Sequence, residues 1–81
     1  MRISTRLFAT YRDLAGTSSV AVELPAGSTV ADLILRLRSE VAGLDRLPAS
    51  VAVAVNCEYA QPGDPVSEED EIALIPPVAG G

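Results

Sequence analysis

Residues 19–41, SVAVELPAGSTVADLILRLRSEV, change their hydrophobic period in mid-stretch, and that change decides the fold. Ser19 to Leu24 alternates with period two, putting Val20, Val22 and Leu24 on one face, as in a half-buried strand. Pro25-Ala26-Gly27 breaks the strand. From Thr29 the period lengthens to about 3.6 residues. Val30, Leu33, Ile34, Leu37 and Val41 then form one apolar stripe, which predicts an amphipathic helix. Thr29-Val30-Ala31-Asp32 has the form of a capping box with Asp in the usual Glu place. Asp32 stands one turn before Arg36, an expected ion pair, and Gly43 is the expected end of the helix.

Outward from this stretch the chain returns to strands. Ile3 to Ala9 alternates with Ile3, Thr5 and Leu7 on one face, so it pairs with Ser19–Leu24 as a hairpin. Between them, Tyr11-Arg12-Asp13-Leu14-Ala15-Gly16 predicts a turn or single helical turn closed by Gly16. Downstream, Val51 to Val55 reads as a strand with its valines inward. Asn56-Cys57-Glu58 is a polar break before a short extended piece at Tyr59-Ala60. Gln61 to Asp70, with Pro62, Gly63, Asp64 and Pro65, is loop. Glu71 to Ile75 is the last strand, with Ile72 and Leu74 inward, and Pro76-Pro77 ends any ladder because neither residue has an N–H to donate.

A helix that follows a hairpin must cover the sheet, since neither element buries its apolar side alone. The order therefore predicts an α+β fold of the β-grasp, ubiquitin-like kind. One main helix lies across a mixed four- to five-stranded sheet whose first and last strands run parallel at its centre. Residues 1–75 form this domain, and residues 76–81 leave it as a flexible, extended Gly-Gly tail.

Composition narrows the chemistry. The 81 residues suffice for one small domain. Histidine is absent, which removes Ser-His-Asp triads, Cys-His dyads and His-bearing zinc sites. Cys57 is the single cysteine, so no internal disulfide forms, and with Asn56 and Glu58 as neighbours it lacks the adjacent cation that would make it a reactive thiolate. The net charge of −5 argues against nucleic acid and anionic membranes as partners. All six basic residues are arginines at or before Arg46, against five acids there; residues 47–81 carry six acids and no base. An acidic second half suits a basic protein partner or a solvated loop. Glu68-Glu69-Asp70 with Asp64 lacks the spaced ligands and turn glycines of a metal loop, so no metal site is expected. No apolar run reaches the ~20 residues of a membrane span, and no signal-peptide core opens the chain, so the expected compartment is the cytoplasm.

The reactive group left over is the carboxylate of Gly81. Two terminal glycines arise by chance in about 0.5% of chains, at the usual ~7% glycine. Pro76-Pro77 stiffen the exit, no charge follows Glu71, and a Gly-Gly end without Cβ atoms threads a narrow channel. Six residues beyond Ile75 reach ~20 Å at ~3.3 Å each, enough to deliver Gly81 into another protein's active site.

Three stretches carry a family resemblance: Leu7-Phe8-Ala9 with Arg12-Asp13-Leu14-Ala15-Gly16, Val55-Asn56-Cys57-Glu58, and Asp70 through Gly81 with its Ile-Pro-Pro-Val-Ala-Gly-Gly ending. Over nearly its full length the chain resembles the small-subunit family of molybdopterin synthase, ubiquitin-like sulfur carriers. Glu69 stands where that family usually has Gly, and Ala79 where Ser or Thr is common; neither touches the reactive group. The resemblance implies that the Gly81 carboxylate is adenylated by an ATP-dependent adenylyltransferase, so that Gly81 is transiently AMP-linked. A sulfurtransferase then supplies sulfur to make a thiocarboxylate. The loaded tail enters the large subunit, in an expected heterotetramer, and gives sulfur to cyclic pyranopterin monophosphate. The carrier itself binds no cofactor.

On the same resemblance Gly81 bears the sulfur, Gly80, Ala79, Val78 and Pro77 occupy the partner's channel, and Phe8, Arg12 and Ile75 contact the partner. Phe8 and Ile75 are expected on the outward face of adjacent central strands, forming an exposed apolar patch with an acidic rim. Other readings stay open: a thiazole-pathway or other sulfur carrier, whose tail generally lacks Pro-Pro; a ubiquitin-like protein modifier; and a plain β-grasp interaction module. The absence of lysine excludes isopeptide chains of this protein on itself.

Overall fold

Ile3, Thr5 and Leu7 are buried while Arg2, Ser4 and Arg6 are exposed, so the first strand, β1 (Arg2–Leu7), obeys its sequence period from end to end. The computed structural model describes residues 1–77. After β1 come α1 (Ala9–Ala15), β2 (Ser19–Glu23), α2 (Val30–Glu40), a 3-10 turn at Leu44–Arg46, β3 (Ala52–Val55), β4 (Glu58–Tyr59) and β5 (Ile72–Ile75). The sheet has five strands in the order β2-β1-β5-β3-β4. β1 and β5 pair in parallel, Thr5 opposite Ile72 and Leu7 opposite Leu74; the remaining pairs are antiparallel. This is the β-grasp arrangement, with the first and last strands adjacent at the centre.

The core lies between the sheet and α2. Leu33 and Leu37 of the helix are buried with Ile3, Leu7, Val53, Ile72 and Leu74, and Ile34 and Val41 pack at its margin. Thr29 caps α2 as its sequence predicts: its Oγ1 accepts from the Asp32 N–H at 3.3 Å, and Asp32 Oδ2 accepts from the Thr29 N–H at 2.9 Å. That return bond turns the Asp32 carboxylate back toward the cap and away from Arg36. The expected Asp32–Arg36 pair is accordingly not formed, and Arg36 instead meets Glu40 at 2.9 Å. Such an exposed i,i+4 pair stabilises the helix by about 0.3–0.5 kcal/mol.

Several boundaries differ from expectation for tertiary reasons. The predicted turn at 11–16 is a seven-residue helix, because Tyr11 is buried in the core and Leu14 and Ala15 pack against it. Gly16 closes it as expected, at φ 74° with its N–H donating to the Arg12 carbonyl at 2.8 Å. β1 stops at Leu7 rather than Ala9, where the backbone turns through a φ of 47°. Gly43 does not end α2, which stops at Glu40 with Val41 as its C-cap. It opens the 3-10 turn at φ 95°, where a Cβ would lie 1.8 Å from the Leu14 carbonyl oxygen. That turn carries Leu44 into the core, with Leu47 following it, and the Arg38 guanidinium anchors the segment by donating to the carbonyls of Leu47 and Pro48. β4 lies at Glu58–Tyr59, one residue earlier than expected.

All these elements fall within the expected domain of residues 1–75, and Pro76 and Pro77 follow β5 outside any strand. Of the residues 76–81 assigned to the tail, Val78, Ala79, Gly80 and Gly81 lie outside the described residues. Among the described residues no helix is long and apolar enough to cross a membrane.

Among the described residues one buried side-chain polar atom is left without a partner: Thr5 is fully buried, and its Oγ1 makes no hydrogen bond. An unsatisfied hydroxyl in an apolar core costs about 1–3 kcal/mol. Thr5→Val keeps the shape and β-branching while removing that cost. We expect it to stabilise the fold by about 1 kcal/mol, seen as a higher urea midpoint at unchanged m-value.

Candidate functional site

Side chains alternate across a strand, so the residues that send Ile72 and Leu74 into the core send Ala73 and Ile75 to the opposite face. The register aligns this outward row across the sheet. Arg6 of β1 lies opposite Ala73, Ala73 opposite Ala54 of β3, and Ala54 opposite Tyr59 of β4. Small residues thus occupy the middle and bulky ones the margins. The result is an apolar hollow of about 370 Å³, floored by Ala54 and Ala73 and walled by Phe8, Cys57, Tyr59 and Ile75. Phe8 and Tyr59 are exposed, Tyr59 at 76%.

Phe8 occupies this place because β1 has ended and α1 has not begun: it is the N-cap of α1, in extended conformation. The Arg6 guanidinium lies 5.6 Å from its ring centroid, a cation–π contact that holds the ring at the rim. Arg6 and Glu71 both line the hollow, so its rim carries both charges rather than the acidic margin expected. A second hollow, of about 400 Å³, adjoins the first through Tyr59 and Ile75. It is also lined by Tyr11, Pro48, Ser50, Ala52, Pro76 and Pro77, so the apolar surface runs without a break from Phe8 to the end of β5.

Of the residues the sequence singled out, Phe8, Ile75 and Pro77 therefore meet on one continuous surface. Arg12 sits on the exposed side of α1, and its side chain lines neither hollow. Gly80 and Gly81, with Val78 and Ala79, lie outside the described residues. Tyr59, Ala54 and Ala73 are the residues that sequence reasoning missed. The signal for the floor was present as Ala52 and Ala54 alternating with valines in β3 and as Ala73 between Ile72 and Leu74 in β5, but these became a floor only once β3 and β5 were known to be neighbours. Among the described residues no group of three or more acidic or Cys side chains is arranged to hold a metal ion.

Cys57 has a structural oddity of its own. Val55 pairs with Glu58, so Asn56 and Cys57 form a two-residue hairpin turn, with φ of 53° and 68°. Positive φ at both positions is the type I′ pattern, which favours Asn followed by Gly. A side chain in the second position is strained.

Comparison with known proteins gives a consistent picture. Residues 5–81 match the model of the ThiS family. The chain is 34% identical, over the whole of both chains, to the molybdopterin synthase sulfur carrier subunit of Chlamydomonas reinhardtii. It is 33% identical to the Arabidopsis thaliana protein of the same name, covering all of this chain and 84% of that one. It is also 36% identical to small archaeal modifier protein 1 of Haloferax volcanii, covering 94% of this chain and 97% of that one. A crystal structure of the Haloferax protein superposes over the full length of both chains with a TM-score of 0.77. A chain from the Helicobacter pylori complex of molybdopterin-converting factor subunits 1 and 2 shares the fold, with a TM-score of 0.68 at 23% identity and full coverage of both chains.

The strained turn yields a direct test. Cys57→Gly relieves the positive-φ strain, partly offset by the extra entropy glycine loses on folding. We expect a net stabilisation of roughly 0.5–1 kcal/mol, measured by chemical denaturation.

Proposed function

The chain belongs to the ThiS family, and on that premise we propose that it is the sulfur-carrier subunit of a molybdopterin synthase, working in the cytoplasm with Gly81 as its reactive residue. The observation that carries the reading is the continuity of the apolar surface from Phe8 through Tyr59 and Ile75 to Pro77. A partner docked on that surface lies against the strand from which the tail departs. The names of the full-length relatives from Chlamydomonas and Arabidopsis support the same reading.

In this reading the domain is a handle and the chemistry belongs to Gly81. A carboxylate is a poor electrophile until one oxygen carries a good leaving group. The Gly81 carboxylate attacks the α-phosphate of ATP on an adenylyltransferase, pyrophosphate leaves, and Gly81 is held as an acyl-adenylate. The terminal sulfur of a sulfurtransferase persulfide displaces AMP to give an acyl disulfide. A second thiol then attacks the sulfurtransferase sulfur, forming a disulfide with it and releasing the thiocarboxylate. Without a Cβ, Gly81 leaves its carbonyl open to attack, and Gly80 lets the backbone follow a narrow channel. Pro77, Val78, Ala79 and Gly80 then occupy the channel of the large subunit, where the thiocarboxylate gives its sulfur to cyclic pyranopterin monophosphate. Phe8 and Ile75 seat the domain, Arg12 contacts the same partner from α1, and two carriers with two large subunits make a heterotetramer.

A protein-modifier reading is favoured by one observation, the match to the Haloferax modifier. It makes a different product. A modifier forms isopeptide bonds to lysines of targets, whereas a carrier releases sulfur and is reloaded. This chain has no lysine to receive a further copy. Its α-amine is engaged, donating to the Leu24 carbonyl at 2.7 Å and lying 3.9 Å from Glu23.

Removing Gly81 should abolish sulfur transfer and leave the thermal unfolding midpoint unchanged; activity in the truncated chain would exclude the carrier role. In the intact protein incubated with ATP, activating enzyme and cell extract, mass spectrometry should find a gain of ~16 Da, oxygen replaced by sulfur. A ladder of Gly81-linked conjugates would favour the modifier instead. Phe8→Ala should weaken binding to the large subunit by more than ~1 kcal/mol, as for an exposed aromatic anchor, in a calorimetric titration.

A further inference from the structure

β4 is two residues long and stands at the edge of the sheet, yet it supplies Tyr59, and the turn before it supplies Cys57, to the wall of the hollow. So short a strand cannot hold its own position, since even a complete isolated hairpin is marginal in water. At its far end the Ala60 N–H donates to the Val53 carbonyl at 2.8 Å; at its near end it is held by a clasp at the tip of the turn. The Asn56 N–H donates to the Glu71 carbonyl at 2.7 Å, and the Asn56 Oδ1 accepts from the Glu71 N–H at 2.9 Å. The Asn56 Nδ2 donates to Asp70 Oδ1 at 3.0 Å, while Asp70 Oδ2 accepts from the Ser67 N–H at 2.9 Å. The tip is thereby tied to the segment that leads directly into β5, the strand that ends at the tail.

We infer that Asn56 is a positioning residue for the docking surface, fixing the wall formed by Cys57 and Tyr59 relative to Ile75 and the tail exit. The inference rests on the docking role proposed above. The residue type follows from the geometry. At φ 53° the site admits Gly, Asn or Asp most readily. Of these only Asn offers both an acceptor for Glu71 and a donor for Asp70. Glycine would keep the turn and lose the side-chain half of the clasp. Aspartate would keep the bond to Glu71 but set a second carboxylate against Asp70. Exchanging the two side chains restores the pattern. The carboxylate, now on the turn, accepts from the Glu71 N–H and from the relocated amide, whose oxygen accepts from the Ser67 N–H.

The test uses the full chain with the purified large subunit, at a temperature where circular dichroism shows every variant folded. Dissociation constants are measured for wild type, Asn56→Gly, Asn56→Asp and the double exchange Asn56→Asp with Asp70→Asn. Each single variant should bind at least fivefold more weakly, and the double exchange should return to within twofold of wild type. Single-turnover sulfur transfer from thiocarboxylated protein, at saturating large subunit, should be unchanged in all four. Single variants that bind like wild type would reduce the clasp to a matter of stability and overturn the inference. So would a double exchange that fails to rescue, or a transfer rate that falls in the saturated complex. A wild-type chain that does not bind the large subunit would instead overturn the docking role itself, and the inference with it.

Discussion

The parallel pairing of β1 with β5 is the contact on which the rest of the molecule depends. It joins the two ends of the described chain, Thr5 to Ile72 and Leu7 to Leu74, and puts both strands at the centre of the sheet. A parallel pair needs a crossover connection, and here everything between Leu7 and Ile72 serves as that connection. Helix α2 must cross the inner face because Ile3, Leu7, Ile72 and Leu74 would otherwise face water. Pro76 and Pro77 follow from the middle of the sheet because the last strand is central rather than at an edge.

The two faces of the sheet have separate tasks. The inner face carries large aliphatic side chains under α2, with stability set by their burial. The outer face has alanines where the inner face has leucine and valine, and this difference in size makes the hollow. Substitutions on the outer face can reshape the hollow without opening the core.

All three non-glycine residues with positive φ among the described residues line the hollow or adjoin in sequence a residue that does: Cys57 lines it, Asn56 precedes Cys57, and Ala9 follows Phe8. A left-handed backbone costs a side-chain-bearing residue about 1–2 kcal/mol, and such conformations persist only where surrounding structure fixes them. At Asn56 the fixing groups are visible as Glu71 and Asp70. At Ala9 the φ of 47° is where β1 gives way to α1, directly after the residue whose ring forms the rim.

The sequence by itself determined the periods and the punctuation: buried Ile3 and Leu7, the stripe and capping box of α2, the breaks at Pro25 and Pro76, and hence the order of elements and the architecture. These are local matters, fixed by side-chain spacing along one element. It also singled out Gly81 as the candidate on which the proposed function rests, through composition and the scarcity of other reactive side chains. Tertiary structure decided what depends on which elements become neighbours. Tyr11 lengthens a turn into a helix because the core receives its ring, and Leu44 and Leu47 enter that core from a segment with no period of its own. Asp32 gives up Arg36 because its carboxylate is needed at the cap. Ala54 and Ala73 become a floor, and Tyr59 a wall, only when β3, β4 and β5 lie side by side. Spacing along a chain states which face a side chain occupies; the strand beside it, and so the surface the sheet presents, is settled by packing across the sheet.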